Sequence, residues 1–484
     1  MKDVAPRRVD LTRLDHVGYV PHRDDFTIRD DLNRRALVRS IAEVAAKGAP
    51  PMALGVHGDW GSGKTSVLRS MQHHMTGENL HSEEVQDLQG LVYSGHVATV
   101  WFEAWRYQNE ATPIVALLHE MRRQMSGLQK TWAKSRKLTG VAFEAVLGGL
   151  DKAAKLIGAE NAPVSVKEIR EIGERYERER MEQALPTDTI QEFLQQTIDS
   201  LLPLARKDFP TPRVVVFIDD LDRCNPESAF RLLEGLKLYL QLKNCVFVLG
   251  MNQQIVIEAI GGQLKKDDND KAVLLRAEAY LEKLCSNIWR LPLPSRPERY
   301  FADLIDNDVG RAAVAAAAAD GEAAGNPPFL PPNPRRLRTL ANIVNRMIQA
   351  ASQMGQVMDA DACLRLLVVA YVYQFHADLF QRWHYDVNFL LRIKAWLETP
   401  STPPAAAAAA PETAALPIPQ AFARLSLPSH VRQGGLRNAT PGAEIESGFP
   451  DPSAPGIFWI APLLQTALKS AVPAEFKTLL QLVA

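Results

Sequence analysis

The stretch GVHGDWGSGKTSVL, Gly55 to Leu68, decides the fold of this chain. Gly58, Gly63, Lys64 and Thr65 stand at the spacing G-x-x-x-x-G-K-(S/T). Ahead of them, MALGVHG (Met52 to Gly58) is a short apolar run that reads as a buried strand. Behind them, TSVLRSMQHHM places Val67, Leu68, Met71 and Met75 at helical spacing on one side. Strand, glycine loop and helix follow in the order that a phosphate-binding loop needs. Glycines let the backbone wrap closely and turn N–H groups inward at an anion. The helix N-terminus adds partial positive charge. Gly58, Asp59, Trp60, Gly61, Ser62, Gly63, Lys64, Thr65 and Ser66 are therefore the expected nucleotide-binding residues. Lys64 is the mobile charge for the β- and γ-phosphates, and Thr65 offers a hydroxyl to Mg2+. Trp60 reads as a lid or packing residue of the loop. The competing reading, a glycine-rich turn with a solvated lysine, does not account for the strand and helix on either side.

A second signal is PRVVVFIDDLDRC, Pro212 to Cys224. Val214 to Ile218 is apolar throughout, as in a strand buried on both faces, and it runs into Asp219 and Asp220. A carboxylate at the C-terminal tip of a parallel strand beside the glycine loop can hold Mg2+, usually through water. Asp219 is the expected Mg2+ residue, and Asp220 is placed to polarise an attacking water. HVATVWF reads as a further strand with Glu103 at its tip, which makes Glu103 the rival carboxylate for that task. CVFVLGMNQQIV (Cys245 to Val256) is another buried strand ending near Asn252. The Asn252 amide can reach a γ-phosphate or the lytic water, or can simply form the turn. NIWRLPLP (Asn287 to Pro294) reads as the last strand.

Composition narrows the classes. The chain has 484 residues, 46% hydrophobic and 23% charged, with a net charge of -1. These are ordinary values for a globular protein of several domains, and the near-neutral balance gives no general affinity for nucleic acid. The four cysteines, Cys224, Cys245, Cys285 and Cys363, show no CxxC pairing and read as reduced core residues. The N-terminal stretch MKDVAPRRVDLTRLDHVGYV lacks the apolar segment of a signal peptide, so a cytoplasmic location is expected.

Together, GDWGSGKTS, FEAWRYQNE, IDDLDRC, FVLGMNQQ, YLEKLCSNIWRLP and NPRRLRTLANIVNR resemble the KAP P-loop NTPases, across roughly residues 30 to 350. IDDLDRC with FEAWRY is the specific part. The resemblance implies an α/β fold: a P-loop NTPase three-layer parallel sheet, with an extra strand between the glycine-loop strand and the Asp strand. It also implies a helical insertion, a C-terminal mostly α-helical region, and ATP with Mg2+ as cofactors. Where this chain has Asn252, the family often carries an acidic residue. Many members also carry transmembrane helices between the glycine loop and the Asp strand. In this chain the most apolar part of that insertion, LTGVAFEAVLGGL (Leu138 to Leu150), is too short and too polar to span a bilayer. VKEIREIGERYERERMEQ (Val166 to Gln183) has the charge spacing of an exposed helix or a partner-binding arm.

The expected domain plan has an N-terminal extension (1–30) and an NTPase domain (31–300) with its helical insertion at about 113–207. A helical lid (301–399), a Pro/Ala-rich linker (400–420) and a C-terminal segment docking on the body (421–484) complete it. In the lid, Asn333 reads as an N-cap with Pro334 at the first helical position. That puts Arg335 and Arg336 in the first turn, where the helix dipole disfavours cations. They read either as phosphate sensors or as salt bridges. Arg223, just past the Asp strand, is the candidate for an arginine acting on a neighbouring subunit, or else pairs with Asp222 or Glu227. The functional expectation is a regulated ATPase that switches or remodels partners. By analogy with bacterial KAP proteins, it would serve anti-phage defence with protein partners and form a homo-oligomer responsive to ATP. A nucleotide-gated scaffold with slow hydrolysis is the alternative. A nucleic-acid-stimulated ATPase ranks below both, since no helicase motif set or basic tail is visible.

Overall fold

In the computed structural model, the chain is described over residues 21–22, 25–76, 97–109, 212–239, 242–264, 270–324 and 328–375. Isolated positions are also described between 116 and 124, at 195, between 380 and 384, and from 463 to 482. The charged stretch Val166 to Gln183, the apolar stretch Leu138 to Leu150 and the Pro/Ala linker lie outside the described residues, as do nearly all of the insertion and of the C-terminal segment. The chain divides into two compact units, Phe26–Pro292, and Leu293–Ala484 together with Met1–Asp25.

The first unit is built on a parallel sheet of β1 (Met52–His57), β2 (Val97–Glu103), β3 (Arg213–Asp219), β4 (Cys245–Met251) and β5 (Asn287–Arg290). The spatial order is β2-β3-β4-β1-β5, so β4 lies between the glycine-loop strand and the Asp strand. This is the extra strand that the family resemblance implies. Every residue of β3 and β4 is buried, as their unbroken apolar runs require. β5 is the half-exposed edge. Among the described residues β2 is the opposite edge, ladder-paired on its β3 side. Gln124 binds the β2 backbone at Trp101: its Oε1 accepts from the backbone N–H (2.7 Å) and its Nε2 donates to the carbonyl (2.6 Å).

Alternate strand residues face opposite sides and generate two cores. Leu54, Val56, Val215, Phe217, Val246 and Val248 pack against α1 (Arg35–Lys47) and α2 (Lys64–Thr76). Ala53, Val100, Val214, Ile218, Phe247 and Leu249 pack against α3 (Pro226–Tyr239), α4 (Gln253–Leu264) and α5 (Asp270–Leu284). Helix, sheet, helix is the expected three-layer plan. Val67, Leu68, Met71 and Met75 of α2 are all in the first of these cores, as their spacing predicts. Arg213, at the start of β3, is buried and donates to the carbonyls of Gly48 (2.6 Å) and Ala45 (3.3 Å). Its charge thus sits at the negative end of α1.

The described part of the second unit is helical: α6 (Pro297–Asp303), α7 (Asp308–Ala323), α8 (Pro334–Gln353) and α9 (Ala360–Phe375). Asn307 caps α7 by accepting the Gly310 N–H at 2.8 Å. Asn333 caps α8 by accepting the Arg336 N–H at 3.2 Å, with Pro334 in the first turn, as its spacing predicts. Phe301, Leu337, Leu340 and Tyr371 are fully buried at the centre of this bundle. Asn342 and the His22 backbone exchange two hydrogen bonds, at 2.9 and 3.1 Å. No helix among the described residues is long and apolar enough to cross a membrane.

Candidate functional site

Parallel strands end on one edge of a sheet, and in the first unit that edge collects the glycine loop, Glu103, Asp219 and Asn252. Register places Glu103 opposite Asp219, and His57 opposite Met251. Beyond β1 the chain leaves the sheet at Gly58, whose N–H donates to the Met251 carbonyl at 3.2 Å. The loop turns back with Ser62 N–H on the Asp59 carbonyl (3.0 Å), and the α2 ladder begins at Val67 N–H on the Gly63 carbonyl (3.0 Å). Gly61 and Gly63 have φ of 81° and 94°, a left-handed backbone that L side chains rarely adopt. These two positions explain why the loop carries glycine there.

Lys64 opens α2 and is almost completely buried. Its Nζ donates to the Gly58 carbonyl (2.9 Å), the Asp59 carbonyl (3.4 Å) and Asp222 Oδ2 (3.2 Å). The competing reading of a solvated lysine is therefore wrong. Asp219 is 1% exposed, and its Oδ1 has no hydrogen-bond partner among the described residues. Burial, reinforced by the neighbouring Asp220 charge, pushes the Asp219 carboxyl up to about 7. A hydrogen bond from the Thr65 hydroxyl works against that rise. These features fit a divalent cation: a buried carboxylate oxygen awaiting a positive partner, with a hydroxyl already at hand.

Asp220 takes a left-handed backbone, φ 57° and ψ 35°, which turns the chain sharply out of β3 into the short helical turn Leu221–Arg223. Burial raises its carboxyl, and Arg223 opposes that rise. The Arg223 Nε lies 2.9 Å from Asp220 Oδ1. This corrects the expected pairing of Arg223 with Asp222 or Glu227: Asp222 holds Lys64, and Glu227 pairs with Arg231 one helical turn on. The cause is the turn, which brings Arg223 back over the carboxylate that starts it. Glu103 is likewise held by Arg106. Asn252 donates from Nδ2 to Asp59 Oδ1 (3.2 Å) and accepts the Gln254 N–H at 3.0 Å, so it both starts α4 and touches the glycine loop. Trp60 is 66% exposed on the loop. Arg335 and Arg336 lie in the first turn of α8 in the second unit, where the Arg336 carbonyl accepts from Gln374 at 3.3 Å.

Three residues were not singled out by the sequence patterns. The first is Asp222, the ion-pair partner of Lys64. Arg34, just ahead of α1, is buried and reaches the Ser62 carbonyl of the loop and the Pro292 carbonyl, both at 2.5 Å. Burial lowers its guanidinium to about 10, with Asp30 opposing. Gly250, next to last in β4, gives up a side chain beside Asp219: a Cβ there would stand 2.8 Å from Asp219 Oδ1 and 2.6 Å from Leu68 Cδ1. A glycine inside an otherwise apolar, large-residue strand is the one available signal for that approach.

A glycine loop between strand and helix, a buried lysine at the helix start and a carboxylate two strands away define a P-loop NTPase domain. The chain belongs to the KAP family: the model of the KAP family P-loop domain matches residues 34–347. Among solved structures, the Aeropyrum pernix ORC1 protein in complex with DNA is similar at 14% identity and a TM-score of 0.33, over 84% of this chain and 75% of that one. None of the curated proteins compared matches the chain.

Proposed function

We propose that this KAP protein binds and hydrolyses ATP with Mg2+ in the cytoplasm. The cycle would serve as a regulated switch or remodelling step on partner proteins in bacterial defence against phage. The observation that carries the nucleotide reading is Lys64, buried at the head of α2 within a glycine loop and ion-paired with Asp222 just past β3. The defence role is supported by family resemblance alone. Gly58 to Ser66 would cradle the phosphates, and Thr65 and Asp219 would hold Mg2+. Bound Mg2+ would neutralise charge on the phosphates as it shifts during transfer. Asp220 and Glu103 are the candidate groups to orient water, and Asn252, at the end of β4, is a further candidate. Arg223, Arg335 and Arg336 are the candidate cations for the transition state, Arg223 on a neighbouring copy within an ATP-responsive homo-oligomer. A second reading, a nucleotide-gated scaffold with slow turnover, draws on the ion pairs that occupy both carboxylates, Glu103 with Arg106 and Asp220 with Arg223.

Calorimetric titration of ATP into the wild type and Lys64→Ala tests the core of this. Binding that disappears in Lys64→Ala is expected, because backbone N–H groups alone do not neutralise the β- and γ-phosphates. Equal affinity in both would remove the phosphate-loop reading. Steady-state hydrolysis with and without DNA separates an autonomous ATPase from one driven by nucleic acid. Turnover far below one per minute with tight binding would favour the scaffold. Light scattering with and without a non-hydrolysable analogue tests assembly, and a strict monomer in both states would exclude Arg223 acting on a neighbour.

A further inference from the structure

The Lys64 ammonium has three N–H bonds, and the protein uses all of them: two on the loop carbonyls of Gly58 and Asp59, and one on Asp222 Oδ2. A phosphate reaches this nitrogen only by displacing one of these acceptors. The two carbonyls belong to the loop itself, and Asp59 is held in place through its side chain by Asn252. Asp222 is the displaceable partner and the only one that carries charge. Its side chain is 5% exposed against 6% for Lys64, so water screens the pair little. Asp222 Oδ1 has no hydrogen-bond partner among the described residues, so this carboxylate is not anchored by a network of its own. The left-handed turn at Asp220 delivers it to the loop from 158 residues away.

We propose that Asp222 is a resident anion: a positioning residue that occupies Lys64 in the nucleotide-free protein, competes with the incoming phosphate and so sets the affinity for the triphosphate chain. This rests on the phosphate-loop reading of Lys64. It adds that the site is built with its own competitor, released when nucleotide binds. The pair costs desolvation of two charges, and removing one partner leaves the other buried and uncompensated. In Asp222→Asn, Lys64 loses its charged partner while every other group of the loop stays, and an incoming phosphate supplies the missing anion.

The test compares ATP and inorganic tripolyphosphate, titrated by calorimetry into the wild type, Asp222→Asn and Asp222→Ser. Tripolyphosphate has no base or sugar, so it reads the phosphate contacts alone. Both variants are expected to bind both ligands about tenfold more tightly than the wild type. Their melting temperatures without ligand should fall, and the rise on adding tripolyphosphate should exceed that of the wild type. A variant that folds only when tripolyphosphate is present supports the same conclusion. Unchanged or weaker affinity in both variants overturns it, as does failure of both variants to fold with tripolyphosphate present, since Asp222 is then a structural residue. Failure of ATP to bind wild type and variants alike would instead remove the nucleotide reading on which this one rests.

Discussion

Alanine at Gly250 and at Gly262 should move stability in opposite directions. At Gly250 a Cβ would meet Leu68 Cδ1 at 2.6 Å and Asp219 Oδ1 at 2.8 Å, where ordinary contacts begin at 3.4 Å. Both neighbours are buried, Leu68 at 0% and Asp219 at 1% exposure, so neither retreats into solvent. The Leu68 methyl can rotate, but the Asp219 carboxyl is held by Thr65 and by the Asp220 backbone. It would have to move by about 0.6 Å, the shortfall from ordinary contact. Overpacking of this kind costs about 1–3 kcal/mol. Relief of the glycine entropy term, about 0.5–1 kcal/mol, offsets part of it. The net loss is centred on about 1 kcal/mol, or roughly 2–4 °C in melting temperature for a unit of this size. At Gly262, in α4, a Cβ meets nothing within 4 Å and the residue is exposed. Alanine there should gain up to about 1 kcal/mol of helix stability. Differential scanning calorimetry of both variants gives the signs. A titration of Mg2+ against ATP binding then asks whether Gly250→Ala raises the Mg2+ concentration needed, as a displaced Asp219 requires. Gly250→Ala melting at or above the wild type, with unchanged Mg2+ dependence, would refute the close packing of β4 against the Asp219 carboxylate.

Further outcomes follow from the same geometry. Asp220→Asn or Glu103→Gln should slow ATP turnover by about 10²- to 10⁴-fold while sparing ATP binding, the range for a group that orients or deprotonates water; if neither lowers it tenfold, the water-activating group lies elsewhere. Arg34→Ala leaves the Ser62 and Pro292 carbonyls without their donor, and should cost about 1–3 kcal/mol in unfolding free energy together with ATP affinity; retained affinity in calorimetry would show that the loop holds its shape unaided. Glu298 is 1% exposed and accepts the N–H groups of Phe329 (2.5 Å) and Leu330 (3.2 Å), yet burial holds its carboxyl above the ordinary Glu value. With the folded value raised, its contribution is full below the ordinary Glu pKa and is lost as pH rises through the raised one. Melting curves of the wild type should show that decline and those of Glu298→Gln should not; parallel curves would exclude Glu298 as its source.

What could be read from the sequence was local in the chain. The glycine loop is contiguous, and its strand and helix flank it directly, so spacing alone located Gly58, Gly63, Lys64 and Thr65. β3 and β4 are legible because the middle of a strand buried on both faces is an unbroken apolar run, which marks Asp219 and Asn252 by where that run stops. The cap and proline of α8 are legible for the same reason, since Asn333, Pro334 and Arg336 are neighbours in sequence.

The long-range pairings were not legible. Nothing in IDDLDRC tells which of its three carboxylates meets a lysine 158 residues earlier, because the choice depends on a single left-handed residue at the end of β3. Asp and Asn adopt that conformation at low cost, so Asp220 permits the turn without announcing it. Once the turn is made, the three acids part company. Asp219 stays in the strand, buried beside Gly250. Asp220 takes Arg223, and Asp222 takes Lys64. One backbone angle thus divides a run of like charges into a buried carboxylate suited to a metal, an acid paired with the next arginine, and an anion set against the loop lysine. The same angle makes Asp220→Ala a backbone change as well as a charge change, since alanine tolerates a positive φ less well than aspartate. Asp220→Asn, which keeps that tolerance, is therefore the substitution that isolates the carboxylate's chemistry.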